Sequence, residues 1–189
     1  ERLDAIKNMT IPKNDVVGEH NVFVCSMADL FGDWVPQEDI DKVFSTIEEA
    51  PDWWNFLFLT KNPKRYLELD FPEKSWLGAT ADTQDRADKT MEVFAELRKQ
   101  ENCPILFLSM EPLLERIILP ENPPCDWLII GGRSGNSNGP AMQPNWEWVE
   151  SILQQFPIIN FDTKQRKNNM KIYFKPNCET RPREYPSID

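Results

Sequence analysis

The hydrophobic residues of this chain fall into short continuous runs that alternate with helical stripes. Runs rich in β-forming residues occupy positions 21–27, 55–61, 75–81, 104–110, 126–132 and 171–176. Most of these runs are apolar at consecutive positions, which is typical of strands that are buried on both faces of a parallel sheet. We therefore predict a strand in each run.

The segments between the runs repeat apolar residues at spacings of three and four. The stripes are Ile40, Val43, Phe44 and Ile47 after Pro36; Ala87, Met91, Phe94 and Leu97; and Trp146, Val149, Leu153 and Phe156 after Pro144. Such spacing places the residues on one face of a helix, so each stripe predicts an amphipathic helix. Residues 62–69 and 111–117 are each predicted to hold a short helix.

Alternation of strands and helices indicates right-handed βαβ units and a parallel sheet. An open sheet and a partial (β/α) barrel both fit this pattern, and we favour the barrel. The predicted fold is α/β, a partial TIM-like barrel with about six mainly parallel strands. Residues 1–20 are predicted to form an N-terminal arm and residues 21–189 a single domain. Residues 160–170 are expected to form a basic, polar loop, and the tail from Asn177 an extended segment.

Polar residues recur directly after the predicted strands. In parallel α/β folds, ligands bind beyond the carboxyl ends of the strands, so these residues are the candidate site. In a barrel they would converge on one mouth. The candidates are Ser26, Asp29, Thr60, Lys61, Thr80, Ser109, Glu111, Gly131, Gly132, Ser134 and Lys175.

Several of these residues have a structural alternative. Asp29 could cap the next turn, and Glu111 could bind a cation or an amine or cap the turn that follows it. Asp82 is expected to be the N-cap of the long helix. The glycine pair Gly131–Gly132 could let a ligand approach the backbone, or could serve a chain reversal that needs positive φ.

Composition narrows the function classes. The net charge of −10 over 189 residues disfavours non-specific nucleic-acid binding, which needs a positive surface. No apolar run approaches the roughly 20 residues that span a bilayer. The cysteines are at least 22 positions apart, so no metal site is predicted, and free, mostly buried thiols in a reducing cytoplasm are expected.

A resemblance emerges from the segments at the strand ends taken together. VFVCSMADLFGDWVP, FLFLTKNP, WLGAT, LSMEPLL, DWLIIGGRSG and the terminal KPN…REYP resemble an uncharacterised protein family of phages and mobile elements with a radical-SAM-like barrel. The resemblance implies contacts between the backbone of Gly131–Gly132 and the methionine part of adenosylmethionine. It further implies that Glu111 pairs with the amine of that cofactor, and Lys61 or Lys175 with its carboxylate. Arg133 stands where an acidic residue is common in the family.

Members of that family carry a three-cysteine motif ahead of the VFV strand, which is thought to hold an iron–sulfur cluster. This chain has no such motif, so adenosylmethionine and a cluster are expected only of a longer form of the protein. The leading hypothesis is a radical-SAM-like enzyme core that acts on a nucleic-acid-related substrate.

Two alternatives stay open. One is a cluster-less module that binds a nucleotide or another phosphate ligand through Lys61, Lys175 and the glycine turn. The other is an interaction protein of a mobile element, for which no ligand pocket at the strand ends is expected.

Overall fold

The computed structural model describes residues 3–10, 20–135 and 139–179. The strands are β1 (His20–Phe23), β2 (Trp54–Thr60), β3 (Ser75–Thr80), β4 (Ile105–Met110), β5 (Trp127–Ile130), β6 (Ile158–Asn160), β7 (Gln165–Arg166) and β8 (Lys171–Phe174). The α-helices are α1 (Gln37–Glu48), α2 (Gln84–Leu97) and α3 (Trp146–Gln155), and 3-10 helices cover Leu3–Asn8, Pro63–Glu68 and Lys167–Asn169.

The main sheet has six strands in the order β1-β2-β3-β4-β5-β8. Every neighbouring pair in it is parallel. The sheet curls into a half-barrel, which confirms the predicted fold class. All carboxyl ends of the strands therefore lie along one edge, which we call the carboxyl edge.

The sheet separates two apolar layers, because successive side chains of a strand point to opposite faces. Phe56 and Phe58 of β2 lie in the large core that the helices cover. Leu57 belongs with Phe107 and Ile129 to a smaller cluster on the opposite face, which we call the inner face. Burial on both sides explains why the strands are apolar at consecutive positions.

The predicted helical stripes face the large core. All four stripe residues of α1 and all four of α2 are buried. In α3, Val149 and Phe156 are buried, while Trp146 and Leu153 are partly exposed. Asn145 caps α3 by accepting a hydrogen bond from the Glu147 amide at 2.9 Å, and this contact fixes where the helix begins.

The predicted helix at 111–117 is wrong. In this segment the amide of Leu113 donates to the carbonyl of Gly131, and the amide of Leu114 donates to the carbonyl of Asp82. These amides would lie in the first turn of the predicted helix, where an N–H has no partner within the helix, and neighbouring strand ends bind them here while the segment stays irregular. The segment instead joins the ends of β3, β4 and β5.

Two further boundaries differ from prediction. The first strand ends at Phe23, since the chain turns at Cys25, whose φ is 55°. The segment predicted as the loop 160–170 holds part of the antiparallel pair β6–β7 and a 3-10 helix. The periodicity of strands this short is too brief to detect.

The described part of the N-terminal arm contacts α1. Lys7 forms an ion pair with Glu49 at 2.6 Å. The rest of the arm from residue 11 to 19, the outer glycine loop at 136–138 and the tail from residue 180 lie outside the described residues. Within the described part of the chain, none of the helices is long and apolar enough to cross a membrane.

Candidate functional site

The carboxyl edge carries most of the residues that the strand-end pattern selected. Thr60, Thr80 and Ser109 are the last or second-to-last residues of their strands, and all three are buried. Glu111 directly follows β4 and Lys175 directly follows β8. Ser26 lies in the exposed turn after β1.

Asp29 binds the end of β2 to the loop that follows β1. Its Oδ1 accepts hydrogen bonds from Thr60 Oγ1 at 2.8 Å and from the Phe31 amide at 3.0 Å. Its Oδ2 accepts from the Lys61 amide at 2.8 Å. Three donors of the chain itself therefore satisfy this carboxylate. One of them, the Phe31 amide, lies in the turn that follows Asp29, so Asp29 does cap this turn.

Cys25, next to this loop, is exposed. Desolvation nevertheless raises the pKa of its thiol. A raised pKa lowers the fraction of thiolate at neutral pH, and the thiolate is the nucleophile. Cys25 is therefore poorly suited to nucleophilic attack.

A second cluster joins the ends of β4, β5 and β8. Glu111 Oε2 accepts from Lys175 Nζ at 2.6 Å, and Glu111 Oε1 accepts from Asn177 Nδ2 at 3.0 Å. The same Asn177 nitrogen donates to the carbonyl of Gly132 at 2.7 Å and to Ser134 Oγ at 3.2 Å. We call Glu111, Lys175, Asn177 and Ser134 the strand-end cluster.

The strand-end cluster keeps unused hydrogen-bonding capacity. The Lys175 ammonium has three donors, and its side chain is 43% exposed. Asn177 Oδ1 is buried and has no hydrogen-bond partner within the described part of the chain. A buried acceptor without a partner costs about 1–3 kcal/mol, so this cluster is not fully satisfied by the protein alone.

The glycine pair is explained by close approach rather than by positive φ. A Cβ on Gly131 would lie 3.0 Å from Glu111 Cγ and 3.1 Å from Asn177 Oδ1. A Cβ on Gly132 would lie 2.8 Å from the carbonyl oxygen of Met142. Neither glycine has φ between +20° and +160°, so the chain-reversal alternative is not needed. The absent side chains let the strand-end cluster sit directly against the end of β5.

Arg133 turns away from the cluster and closes the glycine loop. Its Nε donates to the carbonyl of Pro140 at 3.2 Å, and its backbone pairs with that of Met142. Its exposed guanidinium thus supports the loop, and Glu111 remains the carboxylate that faces Lys175.

A cavity of about 280 Å³ opens at the same edge, between the 3-10 helix Pro63–Glu68 and the start of α2. We call it the basic cavity, because four cationic side chains line it. The lining residues are Lys61, Asn62, Pro63, Lys64, Thr80, Arg86, Lys89 and Thr90. Lys64, Arg86, Lys89 and Thr90 were not among the predicted residues, since each lies within or near a helix rather than at a strand end.

Asp82 does not cap α2 as predicted. The N-cap is Thr83, whose side chain accepts from the Arg86 amide at 3.4 Å. Both oxygens of Asp82 instead accept from Arg86 Nη1 at 2.6 Å. This ion pair fixes the guanidinium at the wall of the basic cavity.

The structure separates Lys61 from Lys175. Four inter-strand steps lie between β2 and β8 in the sheet, which corresponds to roughly 19 Å along the sheet at about 4.8 Å per step. Lys61 lines the basic cavity and Lys175 pairs with Glu111, so the predicted candidates divide into two places on the carboxyl edge.

A larger cavity lies elsewhere on the molecule. It measures about 770 Å³ and is lined by residues 69–77 with Gln100 and residues 102–105. These residues precede or begin β3 and β4, so the cavity is at the opposite edge from the candidate side chains. We assign the site to the carboxyl edge because the predicted strand-end residues converge there, while the charged residues of this larger space are Asp70, Glu73 and Lys74.

The cysteines do not fit an iron–sulfur cluster. Cys25 follows β1, Cys103 precedes β4, Cys125 precedes β5 and Cys178 follows β8. Among the residues that the structure describes, no group of three or more His, Cys, Asp or Glu side chains could hold a metal ion. Burial raises the pKa of the Cys125 thiol to about 12, which is the behaviour of a packed core thiol rather than of a thiolate ligand.

A family model of a protein of unknown function, DUF5131, matches residues 5–173 of the chain. The match covers nearly all of the described half-barrel, and the chain belongs to this family. No curated protein and no solved structure matches the chain significantly.

Proposed function

We propose that this member of the DUF5131 family is the ligand-binding core of a radical-SAM-like protein, and that its strand-end cluster receives the amino-acid part of adenosylmethionine. The observation that carries the proposal is the contact between Glu111 and Lys175 at the carboxyl edge. It places an anion and a cation side by side where parallel barrels bind ligands.

The cluster is complementary to a zwitterion. The methionine part of adenosylmethionine presents an ammonium and a carboxylate on one carbon atom. Glu111 would accept from the ammonium, and the remaining donors of Lys175 would bind the carboxylate. Asn177 holds Glu111 in place through Nδ2, so the carboxylate keeps its orientation when a ligand arrives.

The inner face fits the rest of such a ligand. Trp76, Phe107, Trp127 and Tyr173 form an aromatic group there, with ring centroids 5.5–6.3 Å apart. Tyr173 is 47% exposed, so the aromatic surface is accessible from the open side of the half-barrel. Aromatic rings stack on nucleobases of any sequence, and an adenine could lie on this surface.

The proposal covers binding and orientation by this chain. When bound, adenosylmethionine supplies a sulfonium carbon that can be transferred or cleaved. The cysteines of this chain do not fit a cluster, so no redox step is assigned to them. The resemblance to phage and mobile-element proteins supports a nucleic-acid-related substrate in the cytoplasm as the accompanying proposal.

An interaction protein without a ligand site is less well supported. That alternative expects no pocket at the strand ends, whereas the basic cavity opens there. Of the most exposed apolar residues, Met27 and Trp34 lie in the loop between β1 and α1, and Phe161 lies in the turn between β6 and β7. Isolated exposed apolar residues are common on protein surfaces and need no partner.

Isothermal titration of the chain with adenosylmethionine tests the proposal. Glu111→Gln keeps the shape of the side chain and removes its charge, and Lys175→Met does the same for the ammonium. A charge-assisted hydrogen bond contributes about 1.5–3 kcal/mol, so each variant should bind about 10- to 150-fold more weakly. Methylthioadenosine lacks the amino-acid part, and its affinity should be the same for wild type and both variants.

A control variant makes the result specific. Lys42→Met removes an exposed lysine of α1 that pairs with Asp39 and should leave both affinities unchanged. Equal affinity of wild type for adenosylmethionine and methylthioadenosine would contradict the proposed role of the strand-end cluster, as would adenosylmethionine binding that Glu111→Gln leaves intact.

A further inference from the structure

We infer that the basic cavity is a phosphate-binding site that takes the phosphate monoester of a nucleotide. The site is distinct from the strand-end cluster, because it lies between the 3-10 helix Pro63–Glu68 and α2. It goes beyond the proposed function by assigning a second ligand group to the carboxyl edge.

The charges that line the cavity are all positive. Lys89 pairs with Asp85 at 2.6 Å, and Arg86 pairs with Asp82 at 2.6 Å. Lys61 and Lys64 form no ion pair with any other residue that the structure describes. Two of the four cations are therefore left without a carboxylate, in a protein whose net charge is −10.

Arg86 keeps donors for a ligand although it is paired. Only its Nη1 binds Asp82, and a guanidinium has five N–H donors in a planar fork. The ion pair holds this fork in a fixed position, which lowers the entropy cost of binding an oxyanion. Arginine in such a setting is well suited to phosphate recognition.

Two threonines line the cavity beside the cations. Thr80 is 7% exposed and Thr90 is 1% exposed as whole residues. Their hydroxyl oxygens are not among the buried side-chain atoms that lack a partner. A hydroxyl can donate one hydrogen bond, so these two side chains add neutral donors to the cationic lining.

The size of the cavity limits the ligand. At about 280 Å³ it lies just below the range of about 300–1,000 Å³ that encloses a drug-sized molecule. It therefore fits a phosphate group with part of its sugar, while the base stays outside. Lys61 and Thr80 place the cavity at the carboxyl edge.

Isothermal titration at low ionic strength tests the inference with defined probes. Inorganic phosphate and adenosine 5′-monophosphate should both bind, whereas adenosine should not occupy the cavity. Succinate, a dianion without phosphate geometry, should bind at least about tenfold more weakly than the monophosphate. Short oligonucleotides with and without a 5′-phosphate distinguish the terminal phosphate of a nucleic acid from that of a free nucleotide.

The variants separate a ligand role from a structural one. Lys61→Ala and Lys64→Ala should each weaken binding of the monophosphate about tenfold or more. Lys99→Ala removes an exposed lysine just beyond the far end of α2, paired with Glu96, and should have no effect. Thr90→Val removes only the hydroxyl, so it should weaken phosphate binding without lowering the melting temperature.

The inference is overturned if phosphate and the monophosphate fail to bind at millimolar concentration. It is also overturned if Lys61→Ala and Lys64→Ala behave like Lys99→Ala, or if succinate binds as tightly as the monophosphate. Glu111→Gln should leave phosphate binding unchanged. This variant therefore distinguishes a failure of the phosphate site from a failure of the proposed adenosylmethionine site.

Discussion

At the scale of single residues, similar strand-end chemistry serves two different purposes. Asp29 accepts three hydrogen bonds from its own chain, so its carboxylate is committed to the loop after β1. Glu111 contacts Lys175 from 64 positions away, and that pair remains open to solvent on one side. Sequence could place both acids at strand ends, but it could not tell which carboxylate would accept its hydrogen bonds from the backbone and a buried hydroxyl and which would pair with an exposed lysine.

Because Asp29 accepts three hydrogen bonds from its own chain, we expect the protein to lose stability when this carboxylate is removed. Asp29→Ala leaves the buried Thr60 hydroxyl and the amides of Phe31 and Lys61 without their acceptor. Bonds to a charged group contribute about 1.5–3 kcal/mol each, with strong non-additivity. We expect the free energy of unfolding in urea to fall by about 3 kcal/mol.

The matched control for this prediction is Asp41→Ala. Asp41 is exposed and accepts one side-chain bond from Gln37, so its removal should cost less than about 1 kcal/mol. Unchanged stability of Asp29→Ala would show that the carboxylate is not structural and would restore it as a ligand candidate.

At the scale of elements, β3 shows why a strand can contain a glycine. Gly78 lies beside Phe107 in the register of β3 and β4, and a Cβ on it would lie 2.1 Å from the end of that ring. Its carbonyl also accepts from Tyr66 Oη at 2.8 Å, which ties the 3-10 helix to the sheet. The glycine thus makes room for an aromatic side chain on the inner face.

Gly78→Ala should therefore displace the Phe107 ring. Phe107 is fully buried, and overpacking of this kind costs about 1–3 kcal/mol. Gly139→Ala is the control, because its nearest contact would be an ordinary 3.5 Å. Phe107→Leu should reduce the penalty of Gly78→Ala in a double-mutant cycle measured by urea unfolding. Additive effects of the two changes would contradict the packing described for the inner face.

The strands and long helices were predictable, because each depends on local periodicity. The stripe from Ile40 to Ile47 needs only a neighbouring apolar surface to become a buried helix face. The prediction for the segment 111–117 failed because this segment is held by contacts distant in sequence, with Gly131 and Asp82, which its local pattern does not show. Lys61 of the basic cavity was predicted, but Lys64, Arg86 and Lys89 were not, since they join Lys61 only when the end of β2 and the start of α2 are brought together.

At the scale of the whole molecule, a net charge of −10 coexists with the four cations that line the basic cavity. The negative net charge repels an extended polyanion, while the basic cavity attracts a phosphate group. At 0.1 M salt this attraction is largely screened beyond about 10 Å. The protein should therefore bind a phosphate group at one place without binding the backbone of a nucleic acid along its length.

The salt dependence of binding measures this difference directly. For single strands, the logarithm of affinity falls against the logarithm of salt concentration with a slope of about −0.7 per neutralised phosphate. A 5′-phosphorylated oligonucleotide that places one or two phosphates at the basic cavity should give a slope between about −0.7 and −1.4. Fluorescence anisotropy from 20 to 300 mM salt would determine it, with the unphosphorylated oligonucleotide as control. A slope steeper than about −4 would require a contact of about six phosphates, and thus a long basic groove that the net charge opposes.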